Sequence, residues 1–153
     1  MDIRIRFAHA EDYPRVEAIM KQVHALHLAW RPDIYQPCAP VMPEAEFLDA
    51  LAGRTLAVAE ADGAVAGVLA LVRRQAGSPH QAARRILFID TLAVDEALRG
   101  RGIGRQLLDF AKTLARQERC DGLELQVNAR NQAAYAMYRH CGFTEKSINM
   151  ELL

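Results

Sequence analysis

The strongest constraint on the fold lies between residues 85 and 117, where three patterns follow one another. "RILFIDTLAV" (85–94) is almost continuously apolar, which predicts a strand covered on both faces. "RGRGIGRQ" (99–106) then precedes a segment with apolar residues at helical spacing: Ile103, Leu107, Leu108, Ala111, Leu114 and Ala115. The first turn of a helix has unpaired N–H groups at the positive end of its dipole, and glycine lets an anion approach without a Cβ in the way. This order therefore predicts a phosphate site at a helix N-terminus.

Two common phosphate-binding motifs do not match these glycines. A Walker loop requires GxxxxGK[ST], and no lysine follows them. A dinucleotide fingerprint requires glycine or alanine at its third position, where the two registers place Leu107 and Arg105. The spacing that remains is Arg99-x-x-Gly102-x-Gly104.

This spacing resembles the coenzyme A signature [RQ]xxGxG[AG] of the GCN5-related N-acetyltransferases (GNAT). "IDTLAV" upstream is similar to the central fourth strand of that family. Downstream, "VNARNQAAYAMYRHCGF" is similar to its later signature through Val127, Asn131, Ala134, Tyr138, Gly142 and Phe143. The resemblance is close from Phe88 to Phe143 and topological elsewhere. Glu96 replaces a proline often found after the strand, and we expect this to alter turn rigidity without abolishing binding.

The remaining periodicities predict an α+β fold of order β-α-α-β-β-β-α-β-α-β. The predicted strands are "DIRIRFA", "TLAVAE", "AVAGVLALVRR", "RILFIDTLAV", "GLELQVN" and the closing "SINMELL", with "GSPHQAA" as a loop. The predicted helices run from a cap at Asp12 to Trp30, over "EAEFLDALAG" closed by Gly53, after the glycines, and over "NQAAYAMYRHCGF" to Gly142. With the resemblance, this predicts a single GNAT domain over residues 1–153. We expect a mixed, mostly antiparallel sheet of six to seven strands, with helices on both faces and a splayed central strand pair.

The resemblance implies that acetyl-CoA lies between the fourth and fifth strands. The backbone at Leu92 and Val94 would pair with the pantetheine amides, and N–H groups from Arg101 to Arg105 would cradle the pyrophosphate. The side chain of Arg99 or Arg101 could add charge-assisted contacts, although simple solvation beside the acidic turn is the alternative. The complete predicted cofactor set is Leu92, Ala93, Val94, Arg99, Gly100, Arg101, Gly102, Ile103, Gly104, Arg105, Asn131 and Tyr138.

Two residues are implied as catalytic. Tyr138 matches a tyrosine that acts in the family as general acid on the leaving thiolate, and Asn131, seven residues earlier, would share its helix face and bind cofactor. The alternative for Tyr138 is packing on the sheet. Asp90 is the candidate base, because a carboxylate in an apolar strand is costly and partial burial would raise its pKa. A salt bridge to Arg84 or Arg85, exposure to solvent, and deprotonation through water remain as alternatives.

The acceptor would lie on the N-terminal side, in a pocket shaped by His27, Arg31, Asp33 and Tyr35. His24 and His27 have no evident third ligand, so no metal is predicted. The expected reaction is direct transfer of acetyl from acetyl-CoA to a primary amine of an unidentified small molecule or peptide. A non-catalytic acyl-CoA-binding regulator of the same fold is the alternative. Dimerisation is common in the family and the closing strand offers an edge, so a homodimer is left open.

Composition indicates which binding partners and which cellular compartment to expect. Lys+Arg and Asp+Glu both count 19, and this balance argues against nucleic acid as a partner, although a nucleic-acid reader using the arginines is a further alternative. The 3 cysteines form no CxxC pair, which fits a reducing compartment. No signal segment and no apolar run of about 18 residues is found, so we expect a cytoplasmic protein with no membrane association.

Overall fold

The computed structural model describes residues 1–153. The strands are β1 (Ile3–Phe7), β2 (Leu56–Ala61), β3 (Ala64–Ser78), β4 (Gln81–Val94) and β5 (Gly122–Leu125). The helices are α1 (Tyr13–Trp30), α2 (Glu44–Gly53), α3 (Ile103–Gln117) and α4 (Gln132–His140). Short 3-10 turns at Ala10–Asp12 and Glu96–Leu98 precede α1 and follow β4. No helix has the length and apolar character needed to cross a membrane.

The five strands form one sheet in the order β1-β2-β3-β4-β5. Neighbours from β1 to β4 pair antiparallel, while β4 and β5 pair parallel. The predicted α+β class and the mixed, mostly antiparallel sheet are therefore confirmed. The prediction of six to seven strands is wrong. "SINMELL" has the alternation of a strand, but residues 144–153 form no backbone hydrogen bond within the chain, and a strand requires a neighbour to pair with.

Two apolar cores cover the two faces of the sheet, as side-chain alternation along β2 shows. Ala57 and Ala59 face the core that α3 completes, whereas Leu56 and Val58 face the core shared with α1 and α2. The apolar face predicted for α3 is confirmed, because all of its members are buried: Ile103, Leu107, Leu108, Ala111, Leu114 and Ala115. Helices therefore lie on both faces of the sheet, as predicted.

Gly67 on β3 sets how closely α3 approaches the sheet. A Cβ at this position would lie 3.0 Å from Leu107 Cδ1 and 3.1 Å from Ile103 Cγ2. Both neighbours are fully buried core residues that have little room to move. The role of Gly67 could not be predicted, because nothing in its strand pattern shows which helix crosses it.

Several predicted boundaries differ from the structure. "GSPHQAA" is not a loop, because β3 and β4 keep pairing until Ser78 lies opposite Gln81. β5 ends at Leu125, before the end of "GLELQVN", and α4 ends at His140, before Gly142. In these places tertiary pairing, rather than local residue preference, decides where an element stops.

Two predicted helix caps are also wrong. Gly53 is the last residue of α2, and the left-handed residue that follows is Arg54, with φ 52°. Asp12 precedes α1 but makes no side-chain cap bond to it. Its carboxylate instead accepts hydrogen bonds from Arg6 at 2.7 Å and 3.0 Å, which ties the start of α1 to β1. A buried carboxylate is better stabilised by a guanidinium than by a helix N–H group alone.

Candidate active site

β4 and β5 pair over only part of their length, and this opens a wedge between them. Their parallel register begins with Ile86 opposite Gly122 and ends with Ile89 opposite Leu125, although β4 continues to Val94. The splayed central strand pair predicted from the resemblance is present. The backbone of β4 beyond Ile89 is therefore available on the side that faces the wedge.

The direction of the β4 peptide groups decides which of them face this wedge. Asp95 N–H donates to Ala66 O at 2.8 Å, on the β3 side of β4. Because peptide groups alternate in direction along a strand, those of Leu92 and Val94 point to the opposite side, into the wedge. Ala93 directs its peptide groups toward β3 and its side chain is buried in the core with α1. Of the three predicted strand residues, Leu92 thus keeps both main-chain groups free, and Val94 keeps a free N–H while its carbonyl accepts from Arg99 Nε.

The turn after β4 is held by residues of α1. Glu96, which replaces the proline often found in similar proteins, donates its N–H to Gln22 Oε1 at 2.9 Å. Proline has no N–H and could not make this bond. Asp95 accepts from Arg15 at 2.5 Å, and this hydrogen bond lowers the pKa of Asp95. Hydrogen bonds from α1 therefore restrain the turn in place of a proline ring.

The three glycines have two different roles. Gly100 and Gly102 adopt φ of 78° and 82°, a left-handed conformation that favours glycine, and no atom lies within 4 Å of a Cβ added at either position. Gly104 instead lies inside α3, where a Cβ would approach Met137 Sδ at 3.3 Å and Leu92 Cδ2 at 3.6 Å. Gly100 and Gly102 shape the turn and leave open space before it, whereas Gly104 lets α3, β4 and α4 meet.

The start of α3 carries hydrogen-bond donors without partners. The N-cap Gly102 provides no side-chain cap, and none of the backbone N–H groups from Arg101 to Arg105 donates a hydrogen bond within the chain. The guanidinium groups of Arg99, Arg101 and Arg105 are exposed and none is paired with a carboxylate. Arg99 Nε donates to Val94 O at 3.3 Å. Free N–H groups, the helix dipole and unpaired cations together make this a site for an anion.

Tyr138 lies on α4 next to Met137, the residue that contacts both Gly104 and Leu92. Its half-buried ring packs against the α3 core and meets Phe143 edge-on, with centroids 5.9 Å apart. The Tyr138 hydroxyl has no hydrogen-bond partner in the chain and is not sealed from solvent, since His27 Nδ1 is the buried side-chain polar atom that lacks one. Burial of the ring raises the pKa of Tyr138 above its usual value of 10.0, so the hydroxyl keeps its proton.

Asn131 lies at the N-terminal cap of α4 and not within the helix, where the prediction placed it on one face with Tyr138. It is the N-cap of α4, with φ −87° and ψ 68°, and its side-chain oxygen accepts from Ala134 N–H at 3.2 Å. Because Asn131 lies outside the helix, its side chain is oriented by the capping hydrogen bond and not by the helical repeat. The amide nitrogen of Asn131 remains free to donate.

Asp90 is exposed, so the predicted partial burial of its carboxylate is absent. The register of β3 against β4 shifts at this point, with Ala70 opposite Thr91 and Leu71 opposite Ile89, which leaves Asp90 unpaired in a β-bulge. The alternative of a salt bridge is also absent, since Arg84 pairs with Glu124 at 3.4 Å and Arg85 donates to Glu118 O at 2.9 Å. Of the alternatives, the structure thus shows exposure to solvent. The bulge explains how a carboxylate can interrupt an otherwise buried strand.

Of the four predicted acceptor residues, His27 and Tyr35 lie against each other. Their rings have centroids 4.9 Å apart, and the indole of Trp30 lies 5.7 Å from the imidazole of His27. His27 Nδ1 is buried without a partner, and burial, followed by the nearby His24, lowers the pKa of His27. The imidazole is therefore neutral at neutral pH. His24 Nε2–H donates to Gln36 O at 2.7 Å, and no group of side chains suited to holding a metal is present.

The other two predicted acceptor residues form an ion pair. Arg31 binds both carboxylate oxygens of Asp33, at 2.9 Å and 2.7 Å, and also binds Glu151 near the C-terminus. The hydrogen bond from Arg31 lowers the pKa of Asp33 to about 2. Sequence reasoning missed Glu151, since a contact across 120 residues leaves no local signal. It also missed Met137, whose helical position does not show that it meets Gly104.

The splayed mixed sheet and the glycine-containing start of α3 define an α+β protein of the GNAT type. The family model described as "Acetyltransferase (GNAT) family" matches residues 20–143, and the chain belongs to this family. The membership expected from "RGRGIGRQ" and the later signature is thereby confirmed, and it makes the chain part of a family of acetyltransferases.

Several known proteins are similar to this chain in sequence or in structure. Mycothiol acetyltransferase of Beutenbergia cavernae is 40% identical over 63 residues, which is 41% of this chain and 21% of that protein. A mutant of the BH1408 protein from Bacillus halodurans has a TM-score of 0.87 at 30% identity, covering 100% of this chain and 99% of that one. AAC(6')-Iy, solved in complex with a bisubstrate analogue of CoA, has a TM-score of 0.69 at 17% identity, covering 100% and 98%, and shows likeness of fold alone. The matched part of this chain thus spans about a fifth of the length of mycothiol acetyltransferase.

Proposed function

We propose that this chain is an acetyl-CoA-dependent N-acetyltransferase that moves acetyl to a primary amine of a small molecule or peptide by direct transfer. The observation that carries the proposal is the run of unpaired N–H groups from Arg101 to Arg105, beside free peptide groups on β4. We also propose that residues 1–153 act as one domain, since β1, which precedes the family match, belongs to the same sheet.

The residues present fit acetyl-CoA as the donor. A diphosphate carries several acceptor oxygens and negative charge, which suits the N–H groups of the α3 start and the cations of Arg99, Arg101 and Arg105. The open space before Gly100 and Gly102 admits such a group without a clash. The free peptide groups of Leu92 and the free N–H of Val94 suit the amides of a pantetheine arm, which would pair as an added strand. The free amide of Asn131 would give a further polar contact to the cofactor.

In the proposed reaction the amine nitrogen forms a bond to the acetyl carbonyl carbon while the carbon–sulfur bond breaks. Acetyl-CoA supplies the thioester, which is the activated acetyl donor. Tyr138 would donate its hydroxyl proton to the departing sulfur, a role that its raised pKa and unpaired hydroxyl support. The proton that the nitrogen releases as the amide forms would then restore the hydroxyl, directly or through water. The attacking ammonium must first lose a proton, because it has no lone pair. Asp90, reached directly or through water from its exposed bulge, would take that proton.

The acceptor pocket is proposed beside the aromatic pair of His27 and Tyr35 and the ion pair of Arg31 and Asp33. A neutral imidazole and a neutralised guanidinium present no net positive charge that would repel a protonated amine. The similarity to mycothiol acetyltransferase supports acetyl transfer, and an acceptor screen would decide the identity of the amine. A cytoplasmic location remains a prediction.

Calorimetry with coenzyme A and with pantetheine, which lacks the diphosphate, tests the proposed donor site. We expect heat from coenzyme A and much weaker binding of pantetheine, because the N–H groups of the α3 start would have no anion to bind. Thiol release from acetyl-CoA, measured across polyamines, aminoglycosides, amino acids and peptides, then tests transfer. No heat with coenzyme A would overturn the proposal. Binding without turnover on any amine would indicate a non-catalytic acyl-CoA-binding regulator, and steeply salt-dependent tRNA binding would favour the nucleic-acid alternative.

A further inference from the structure

A cavity of about 410 Å³, which we call the distal cavity, lies at the end of α3 that is far from the glycine turn. Its walls are residues 73–75 of β3, residues 85–86 of β4 and residues 117–120 at the end of α3. Because α3 has 15 residues, its two ends lie roughly 22 Å apart. The distal cavity is therefore separate from the start of α3, and its volume is in the range of small-molecule sites, about 300–1,000 Å³.

Side-chain alternation along β3 and β4 decides which residues face the distal cavity. Leu87 belongs to the core that α3 completes, and it lies opposite Arg73. The next pair on this side of the sheet is Gln75 and Arg85. The side chains of Arg73, Gln75 and Arg85 therefore face α3 and the distal cavity, whereas Arg74 faces the opposite side of the sheet.

Two arginines at the distal cavity are not neutralised. Arg73 binds both carboxylate oxygens of Glu118 at 2.7 Å and 2.9 Å, and this pairing lowers the pKa of Glu118, the one carboxylate that lines the cavity. Arg85 donates to the uncharged main-chain oxygen of Glu118 at 2.9 Å, and the guanidinium of Arg119 has no partner in the chain. Asp121 lies outside this cavity and accepts from the main-chain N–H of Arg85 at 2.7 Å. Two positive charges thus remain.

Arg119 has a backbone conformation that usually belongs to glycine. It follows α3 with φ 55°, and Cys120 N–H donates to Ala115 O at 2.9 Å to close the helix. Arg54 follows α2 in the same way with φ 52°, but its guanidinium packs 4.0 Å from the ring centroid of Phe7. Arg119 makes no comparable contact. A strained residue whose charged side chain has no partner indicates a role beyond folding.

Uncharged groups around the distal cavity also suit an anion. The last carbonyl groups of α3 would oppose a negative charge, but they accept hydrogen bonds from Arg85 and from the N–H groups of residues 118–120. Gln75 and Gln117 line the cavity, and their side-chain amides have no partner in the chain. Each amide is therefore free to donate to a bound ligand.

We propose that the distal cavity binds a small ligand that carries a divalent oxyanion, either a phosphate group or a pair of carboxylates. Glu118 O, which binds Arg85, belongs to the peptide bond that joins Glu118 to Arg119, so the two arginines meet at this point. Guanidinium groups match the oxygens of phosphate and carboxylate in a bidentate way, and two unneutralised cations match a divalent charge. This inference is independent of the proposed transferase activity.

Two-dimensional ¹H–¹⁵N NMR of the full chain, titrated with inorganic phosphate or with malonate at constant ionic strength, tests the proposal. We expect the amide signals of Gln75 and Cys120 to shift in a saturable way at millimolar concentration. The probe that binds more tightly identifies the oxyanion as phosphate or carboxylate. The amides of Gly102 and Gly104 report separately on anion binding at the start of α3.

Arg119→Gly is the most specific variant, because glycine favours the left-handed conformation and the fold should be retained. We expect the dissociation constant of the tighter probe at the distal cavity to rise about tenfold or more. Arg85→Gln should weaken binding in the same direction. Arg54→Gly is the matched control, since it makes the same substitution at the other left-handed helix end and should bind as the wild type does.

Three results would overturn the proposal. The first is the absence of saturable shifts with both probes. The second is a set of shifts confined to Gly102 and Gly104, which would remove the distal site while leaving the proposed donor site intact. The third is an equal loss of binding in Arg119→Gly and Arg54→Gly, because a general change of charge would then explain the effect.

Discussion

The proposed donor side, residues 92–105, and the proposed acceptor side, residues 27–35, use their polar groups in opposite ways. On the donor side the N–H groups from Arg101 to Arg105 and the side chain of Arg101 have no partner in the chain. On the acceptor side Arg31 is bound by Asp33 and Glu151. Free main-chain groups lie at positions that side-chain substitutions do not change, so they are suited to a ligand that is the same in every member of a family. Surface side chains that bind one another can be replaced by other residues without altering the fold. This property suits a pocket in which different family members would bind different amine acceptors.

The largest effect should come from Tyr138→Phe, which removes a proton donor next to the donor side. General acid catalysis contributes about 10²- to 10⁴-fold, so we expect turnover to fall within that range. Coenzyme A affinity should hardly change, because the ring packing against Phe143 is retained. Steady-state kinetics and calorimetry separate the two quantities. Tyr135→Phe is the matched control, since its hydroxyl contacts Glu145 instead, and equal losses in both variants would refute the assignment.

Gly102→Ala should specifically weaken the donor side. A left-handed alanine costs about 1–2 kcal/mol. Displacement of the N–H groups should raise the dissociation constant for coenzyme A about tenfold. Gly63→Ala is the control: Gly63 has φ 83° and no atom within 4 Å of an added Cβ, but it lies in the β2–β3 turn. Chemical denaturation should show similar losses of stability for both variants, with weaker coenzyme A binding for Gly102→Ala alone. Unchanged binding in Gly102→Ala would contradict the donor site.

Asp90→Asn should have a smaller effect on turnover than Tyr138→Phe. Because Asp90 is exposed, water can take the amine proton in its place, and we expect kcat/KM to fall about tenfold, below the usual range for a general base. The measurement is the pH–rate profile of both proteins. Asp109→Asn, a change of another exposed carboxylate, controls for charge. A loss as large as that of Tyr138→Phe would show that water does not replace Asp90.

The smallest effect concerns the ion pair of the acceptor side. Arg31 holds the folded-state pKa of Asp33 at about 2, below its ordinary 3.8, so the pair stabilises the fold above pH 3.8 and loses this contribution as the pH falls toward 2. The melting temperature of Asp33→Asn should therefore lie slightly below that of the wild type at neutral pH and converge with it in acid. Thermal unfolding followed by circular dichroism measures this difference, and a gap that persists at about pH 2 would contradict the assigned ion pair.

Sequence and structure agree most closely where local patterns are strong. The strand over 85–94 and the buried face of the helix from Ile103 to Ala115 are both observed as predicted. The Gly100 and Gly102 positions indicated a turn that the positive φ values confirm. The errors concentrate where long-range pairing decides the outcome: the extended hairpin around Ser78, the bulge at Asp90 and the unpaired residues 144–153. A hydrophobic alternation shows that a segment can form a strand, but not that a partner edge is available.

The sequence by itself determined that the chain has a buried strand, a glycine turn and an amphipathic helix in that order, because these depend on backbone freedom and on periodicity within about twenty neighbouring residues. Only the tertiary structure decided that β4 separates from β5 after Ile89 and that Arg31 binds Asp33 and Glu151. It also decided that residues 144–153 remain unpaired within one copy. The physical reason is that such contacts join residues far apart in the chain, and their stability depends on geometry that no local pattern encodes.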